Sequence, residues 1–228
     1  MICSTSDIQH AFYINLEHRK DRKEHVEKQL ASVNLPIERF NAIRLSNGAL
    51  GCSMSHLKCL ETAKKNKWTH VLICEDDIEF TNPSLFTKQL NSFLEKHQDD
   101  WDVVLLAGNN MPPYRIPEND DTCIHVSHTQ TTTGYLVKSH YFDVLISNVK
   151  EGIEKLIGEP GKHKEYAIDK YWLSLQKQDR WFLIVPLTVV QKVDYSDIEK
   201  KMTNYKKIMI DLDKKDKKDK KDKKDTKQ

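Results

Sequence analysis

Three consecutive carboxylates, Glu75, Asp76 and Asp77, follow directly after an apolar run at 71–74. Four apolar residues of this kind predict a buried strand. Three like charges at its end repel one another unless a cation neutralises them, and Mg²⁺ and Mn²⁺ prefer oxygen ligands of this type. In an open α/β sheet, ligands bind beyond the carboxyl ends of the strands. The cluster therefore predicts a divalent-metal site, and the alternative is a solvated acidic turn.

A second polar group follows the first predicted strand, at 11–16. Arg19 and Arg22 lie three residues apart at the start of a predicted helix, so they can share one face. Guanidinium groups suit phosphate oxygens, and a helix N-terminus adds backbone N–H groups. Asn15, at the strand end, can pair with a base or a sugar hydroxyl. Such arginines can also be plain solvated surface, but together with the acidic cluster they predict a site for a metal–diphosphate.

A third group is the segment 51–56, in which a glycine precedes a helix that Ser53 is predicted to cap. His56 at its end can contact a diphosphate or a base. A hydrogen-bonded core histidine is the alternative, and the segment taken alone favours it.

The elements that must position these groups alternate between strands and helices, which predicts an α/β fold with a largely parallel sheet. The stretch 107–122, rich in Pro and Asn, predicts an active-site loop. Strands are predicted at 11–16, 36–43, 68–74, 102–106, 131–137, 182–185 and 188–191, and helices from about 21 to 35, from 53, from 83, over 139–149 and over 168–178.

Charge divides the chain into a body, 1–210, and a tail, 211–228. The tail holds nine lysines and six aspartates, so the net charge of +2 belongs to it and the body is close to neutral. A near-neutral body gives no reason to predict a nucleic-acid partner. The Lys-Lys-Asp repeat has no apolar face and predicts disorder, either as a solvated charge run or as a weak binder of anionic surfaces.

The five cysteines form no CxxC pair and predict free thiols in a reducing compartment. No apolar stretch approaches the roughly 20 residues that span a bilayer, and the N-terminus lacks an apolar signal core. We therefore expect no transmembrane segment and a cytoplasmic location. Neither GxGxxG nor GxxxxGK[ST] occurs, so a Rossmann dinucleotide site and a P-loop are not supported.

Three motifs in the same order and spacing resemble glycosyltransferase family 25, which includes bacterial lipooligosaccharide glycosyltransferases and procollagen galactosyltransferases. They are Asn15-Leu16-x-x-Arg19-x-x-Arg22, Gly51-Cys52-x-x-Ser55-His56, and the apolar strand that ends in Glu75-Asp76-Asp77. The segments 100–105, 133–137, 168–170, 186–191 and 195–198 are also similar to the family pattern. The resemblance spans roughly residues 10–200.

The resemblance implies an α/β, GT-A-type glycosyltransferase fold with a single mixed, mostly parallel sheet flanked by helices. It also implies a metal-dependent, inverting glycosyltransferase that uses Mn²⁺ (or Mg²⁺) and a UDP-sugar donor. A hexose or N-acetylhexosamine would move to a hydroxyl of a saccharide or glycoprotein acceptor, as in lipopolysaccharide biosynthesis or collagen-type glycosylation.

Roles carried over from the family follow the matched positions. Asp77 is the expected metal ligand, and Glu75 is expected either beside the metal or on the ribose. An inverting transfer needs a base opposite the leaving group, for which Asp169 is the candidate and Glu165 the reserve; a helix-capping role is the alternative for Asp169. The residues expected to bind the donor are Asn15, Arg19, Arg22, Ser55, His56, Glu75, Asp76, Gln191 and Asp197.

Two other functions suit the same residues. A metal-dependent phosphohydrolase also needs carboxylates and arginines, but the chain lacks a DxDGT segment and a His-rich dinuclear pattern. An inactive sugar-binding module on the same fold is the other alternative, and the intact acidic cluster and Asn/Arg segment argue against it.

Overall fold

The structure, a computed structural model, describes residues 2–36 and 38–214. The strands are β1 (Ala11–Asn15), β2 (Glu38–Asn41), β3 (His70–Glu75), β4 (Ile78–Phe80), β5 (Val103–Leu105), β6 (Asn109–Asn110), β7 (Cys123–His125), β8 (Thr129–Gln130), β9 (Gly134–Lys138), β10 (Trp181–Ile184), β11 (Val189–Gln191), β12 (Asp194–Ser196) and β13 (Lys201–Thr203). The helices are α1 (Lys20–Ser32), α2 (Gly48–Lys65), α3 (Pro83–His97), α4 (Phe142–Gly158), α5 (His163–Tyr166), α6 (Ile168–Tyr171), α7 (Leu173–Gln176) and α8 (Lys206–Met209).

The main sheet has seven strands in the order β2-β1-β3-β9-β5-β10-β7. Five of them run in one direction, while β9 and β7 pair antiparallel to their neighbours. Three short antiparallel ladders, β4 with β11, β12 with β13 and β6 with β8, lie outside it. The predicted fold class, a mixed and mostly co-directional sheet flanked by helices, is confirmed.

Helices cover both faces of this sheet. Successive residues of β3 face opposite sides, as strand geometry requires, so Leu72 and Ile73 belong to different apolar clusters. One cluster includes α1 and α3, and the other includes α2 and α4. Because both faces are buried, β3 reads as a continuous apolar run rather than an alternating one.

The start of α2 differs from the prediction. Asn47 caps the helix by accepting a hydrogen bond from the Leu50 amide at 3.2 Å, whereas Ser53 is buried inside the helix. Two glycines in the first turn weaken its helix signal in the sequence. Gly51 is required there because a Cβ atom would stand 2.5 Å from the Ile43 carbonyl oxygen.

The later elements also differ in part. The helix predicted over 168–178 is divided into α6 and α7, and α4 continues to Gly158 rather than ending at 149. The strand predicted over 131–137 begins only at Gly134, and Thr131 has a φ of +83°. Neither β4 nor the hairpin of β12 and β13, called the C-terminal hairpin below, was predicted from the sequence.

Only the first four residues of the predicted tail, 211–214, are described, and there the Tyr114 hydroxyl donates to Asp213 at 2.5 Å. The disorder predicted for 215–228 lies outside the described residues. All five cysteines are free thiols, as predicted. Among the residues that the structure describes, none of the helices has the length and apolar character needed to cross a bilayer.

Candidate active site

The carboxyl ends of β1 and β3 lie side by side, because the two strands are parallel and Ile14 is in register with Glu75. This register brings the polar residues that follow each strand together. Asn15 is buried, and its Nδ2 donates to Asp76 Oδ2 at 2.8 Å. Arg39 on β2 donates from Nε to Asn15 Oδ1 at 3.0 Å and so fixes the orientation of that amide.

Arg22 provides positive charge inside the acidic cluster. Its Nη1 donates to Asp76 Oδ1 at 2.8 Å and to Asp77 Oδ2 at 3.3 Å. The side chains are largely withdrawn from water, with exposed fractions of 11% for Arg22, 10% for Asp76 and 14% for Asp77. Part of the positive charge that the acidic cluster requires is therefore supplied by this arginine, which comes from a distant part of the sequence.

Asp77 keeps one unsatisfied oxygen. Its Oδ1 is buried and has no hydrogen-bond partner among the residues that the structure describes. Burial, together with the charges of Glu75 and Asp76, raises the pKa of Asp77 well above its usual value despite Arg22. A buried carboxylate oxygen without a donor fits a position for a cation, so the donor set suits the hard divalent metal predicted here.

Glu75 is held by neutral donors. Its Oε1 accepts from Thr132 Oγ1 at 2.6 Å, and its Oε2 accepts from Gln191 Nε2 at 3.3 Å. Burial opposes ionisation of Glu75, but contacts with His56 and Thr132 hold the net pKa of Glu75 below its usual value. Glu75 is therefore a carboxylate in a prepared site, and Gln191 reaches it from the end of β11.

His56 is buried beside Glu75. Its Nδ1 is 2.9 Å from the Tyr135 hydroxyl, and its Nε2 is 3.5 Å from Glu75 Oε1, a long contact that does not satisfy the nitrogen. The Cys52 thiol lies 3.6 Å from the same carboxylate oxygen. Cys52, His56 and Glu75 thus form one partly buried group with three potential ligand atoms.

Arg19 contacts the C-terminal hairpin. Its guanidinium donates to Asp194 at 3.1 Å and Asp197 at 2.7 Å, and also to Asp21 on its own helix. Arg22 reaches the same hairpin, at Asp194 (3.4 Å) and at the Tyr195 carbonyl (3.0 Å). Both predicted phosphate-binding arginines therefore hold carboxylates of this chain.

Asp169 is positioned by the segment 131–133. The Thr131 amide donates to Asp169 Oδ2 at 3.2 Å, and the next residue, Thr132, donates to Glu75. The predicted base and the predicted metal ligand are therefore bound by adjacent threonines. Thr131 has a left-handed φ of +83°, which is strained for a β-branched residue and is typical of backbone held for function. Ala167, and not Asp169, occupies the N-cap position of α6.

Two predicted site residues have other surroundings. The Ser55 hydroxyl donates to the Gly51 carbonyl at 2.7 Å and accepts from the Ile43 amide at 2.9 Å, so it ties α2 to the segment after β2. Glu165 is exposed on the four-residue helix α5.

Sequence reasoning missed four residues of this site, for identifiable reasons. Thr132 and Asp194 directly precede the segments 133–137 and 195–198, which are similar to the family pattern. Their position next to these segments was a signal that could have identified them. Cys52 belongs to the motif that begins at Gly51, but nothing in that motif gives the thiol a role of its own. Arg39 lies in a half-exposed strand, where a solvated arginine is common. Their roles depend on contacts between segments far apart in the sequence, such as Thr132 with Glu75, which the local pattern does not specify.

The family model described as "Glycosyltransferase family 25 (LPS biosynthesis protein)" matches residues 8–47 and 43–225. A putative glycosyltransferase of Haemophilus influenzae is 25% identical over 192 residues, which cover 70% of this chain and 67% of that protein. Procollagen galactosyltransferase 2 of Mus musculus is 21% identical over 194 residues, covering 70% of this chain but 29% of that protein. The chain therefore corresponds to less than a third of the procollagen enzyme.

Two solved structures are similar to parts of this chain. Mannose-1-phosphate geranyltransferase from Thermus thermophilus has a TM-score of 0.45 at 12% identity, with 77% of this chain and 73% of that chain covered. A glycosyltransferase involved in glycosylation of the major capsid of PBCV-1 has a TM-score of 0.39 at 10% identity, with 77% and 92% covered.

Proposed function

The chain belongs to glycosyltransferase family 25 and is a glycosyltransferase, and from this premise we propose that it uses a divalent metal and a UDP-sugar to transfer a hexose or N-acetylhexosamine with inversion. The observation that carries this proposal is the Oδ1 of Asp77 just beyond β3, which is buried and has no hydrogen-bond partner within 2–36 and 38–214. The metal site and the donor site are proposed around that atom.

Asp77, with Glu75, would hold Mn²⁺ or Mg²⁺. When bound there, a divalent cation would offset the negative charge that develops on the leaving diphosphate. Arg22 Nη1 lies 3.3 Å from Asp77 Oδ2, so its guanidinium adds positive charge, like that of the cation, on the other oxygen of Asp77. Both sources of positive charge would then face the leaving group, where charge grows most during transfer.

Arg19 and Arg22 would bind the nucleotide diphosphate by exchanging partners. Each now holds carboxylates of the C-terminal hairpin, and those of Asp194 and Asp197 are 19% and 35% exposed. Phosphate oxygens suit the fork of a guanidinium group as well as a carboxylate does. Asp197 is the more exposed of the two, so a diphosphate would displace its carboxylate from Arg19 at the lower cost.

Asn15 would contact the ribose or the base. Its amide is oriented by Arg39 on one side and by Asp76 on the other, so little conformational entropy remains to be lost on binding. The backbone carbonyl of Arg19 accepts a second hydrogen from the same amide nitrogen at 3.0 Å. Gln191 and His56 complete the proposed donor pocket around Glu75.

Asp169 would accept the proton of the acceptor hydroxyl. The Thr131 amide holds its Oδ2, and Lys170 Nζ lies 3.3 Å from the same oxygen. A base fixed through one oxygen can present the other to the hydroxyl. The family description concerns lipopolysaccharide biosynthesis and one relative is a procollagen galactosyltransferase, so we propose a saccharide or glycoprotein hydroxyl as the acceptor.

The test compares Asp77→Asn with Asp143→Asn by thermal unfolding, with and without UDP and Mn²⁺. Asp143 is a matched control because its side chain is 72% exposed and pairs with Lys64 on the surface. UDP at about 100 times its Kd adds roughly 2.7 kcal/mol, or about 5–10 °C for a chain of this size. We expect that increase in the wild type and in Asp143→Asn, and its loss in Asp77→Asn.

Asp77→Asn should also change the stability of the chain when no metal is added. Because the Asp77 carboxylate is buried with one oxygen unpaired, its neutral amide should raise the melting temperature measured without metal. Transfer from UDP-sugars is then assayed by mass spectrometry of the products: UDP with a new glycoside supports a transferase, whereas UMP with sugar 1-phosphate, from cleavage of the diphosphate, supports a phosphohydrolase. An unchanged UDP–Mn²⁺ response in Asp77→Asn would overturn the metal assignment.

A further inference from the structure

A second group of potential metal ligands lies far from the candidate active site. His97 is the last residue of α3, Asp120 lies in the loop before β7, and Cys123 is the first residue of β7. Three strands separate β7 from β3 in the sheet. At a strand spacing of about 4.8 Å, the group is displaced by roughly 19 Å from the Glu75–Asp77 edge.

The three side chains converge on one point. Asp120 Oδ2 is 2.8 Å from His97 Nε2, and the Cys123 sulfur is 3.5 Å from both of those atoms. A Cys–His–Asp relay would place the thiol and the carboxylate on different ring nitrogens. Here both face Nε2, so the arrangement is that of ligands around a common centre.

The distances suit a tetrahedral ion. Zinc bonds of about 2.3 Å to sulfur and about 2.0 Å to nitrogen or oxygen place those ligand atoms about 3.5 Å from the sulfur. Both observed sulfur distances are 3.5 Å. The nitrogen–oxygen distance is shorter, at 2.8 Å, since a hydrogen bond joins those two atoms.

We propose that His97, Asp120 and Cys123 form a zinc site. One thiolate and one carboxylate offset the charge of Zn²⁺, and a mixed sulfur, nitrogen and oxygen set favours zinc over Mg²⁺ or Mn²⁺. The fourth position is left to water. The ion would join the end of α3, the loop 107–122 and the edge strand β7.

The surrounding contacts orient the ligands toward this centre. Asp120 Oδ1 accepts from the Thr122 amide at 2.9 Å, the Thr122 hydroxyl at 2.7 Å and Lys96 Nζ at 3.0 Å, which leaves Oδ2 for the ion. The His97 ring stacks on Phe93 with centroids 4.5 Å apart. Outer contacts of this kind fix ligand geometry in metal sites.

The site is enclosed but has an entrance. Cys123 is fully buried and Asp120 is 6% exposed, whereas the His97 side chain is 14% exposed. Binding removes the thiol proton, forms a zinc–sulfur bond and releases one H⁺ to solvent, while neutral His97 places its remaining N–H on Nδ1. No other co-reactant is needed.

The test uses the full chain without a polyhistidine tag. After chelator treatment, Co²⁺ is titrated and its absorption is recorded, because four-coordinate Co²⁺ with a thiolate ligand gives strong visible bands and a sulfur charge-transfer band. We expect one equivalent with the sulfur band, bleached by Zn²⁺. The bands should be lost in Cys123→Ser and Asp120→Asn.

Cys52→Ser is the matched control, because Cys52 belongs to the other Cys/His/carboxylate group. We expect Cys52→Ser to keep the cobalt bands. Loss of the bands in Cys52→Ser but not in Cys123→Ser, or no sulfur band in the wild type, would overturn the proposal. If Cys123→Ser does not fold, X-ray absorption of zinc-loaded Cys52→Ser decides: one sulfur ligand supports the site, and none refutes it.

Discussion

Arg22→Met should reveal how much of the fold depends on one positive charge. The guanidinium lies between Asp76 and Asp77, and all three side chains are nearly nine-tenths buried. Methionine keeps the length and apolar stem of arginine but removes the charge. Both carboxylates then stay buried without their cationic partner.

The expected cost follows from that burial. Removing one partner of a buried ion pair costs about 3–5 kcal/mol. Asp77 can take up a proton, since its pKa is already raised well above the usual value by burial and its acidic neighbours, so we expect the lower end, about 3 kcal/mol. For a domain of 150–250 residues this lowers the melting temperature by about 6–12 °C.

Thermal unfolding with and without Mn²⁺ provides the assay. If the acidic cluster binds a divalent ion, Mn²⁺ replaces the missing charge and restores much of the lost melting temperature. Arg180→Met is the control: Arg180 is 44% exposed, and its partner Asp102 keeps His140 at 2.7 Å. We expect a loss of about 1 kcal/mol there and no response to Mn²⁺.

Two results would refute this reasoning. A loss in Arg22→Met no larger than in Arg180→Met would show that the cluster is not desolvated as described. An equal response of both variants to Mn²⁺ would show that the ion acts elsewhere than between the carboxylates beyond β3.

Three further predictions concern separate parts of the chain. Asp169→Asn should lower the transfer rate about 10²–10⁴-fold in product assays with UDP binding retained, and a larger loss in Glu165→Gln would reverse the two assignments. Gly51→Ala should destabilise the chain by about 2 kcal/mol in thermal melts, since a Cβ atom has no room there, whereas Gly158→Ala, which meets nothing within 4 Å, should be neutral or stabilising. Burial lowers the pKa of His70 to about 4, whereas the same side chain in the unfolded chain protonates near 6.5. The free energy of unfolding should therefore fall by roughly 3 kcal/mol as the pH drops from 6.5 to 4. Measurements of that free energy against pH should lack this part of the loss in His70→Gln.

The sequence predicted the parts of the site that depend on strand ends. Apolar runs marked β1 and β3, and parallel strands must bring Asn15 and Glu75 to one edge of the sheet. The buried face of α1, with Val26 and Leu30, also followed from helical periodicity. These features are local, so one segment at a time suffices to predict them.

The remaining features depend on tertiary placement. The sequence contains Arg22 and the three carboxylates, but it does not show that Arg22 inserts between Asp76 and Asp77. The contact between Arg22 and Asp76 joins residues that are 54 positions apart. Ser53 looked like a cap because the glycines before it hid the true helix start at Asn47. Nor does spacing reveal that His97 meets Cys123, which depends on how α3 ends against the sheet edge.

The C-terminal hairpin contacts Arg19 and Arg22 although the paired residues are 173 and 175 positions apart in the sequence. During synthesis, α1 emerges from the ribosome long before Asp194 and Tyr195 are translated. A nascent chain can therefore assemble the edge formed by β1 and β3 while its two arginines still lack these partners. The ion pairs of Arg19 and Arg22 with this hairpin are therefore a late product of biogenesis, formed only after Asp194 and Tyr195 have been translated.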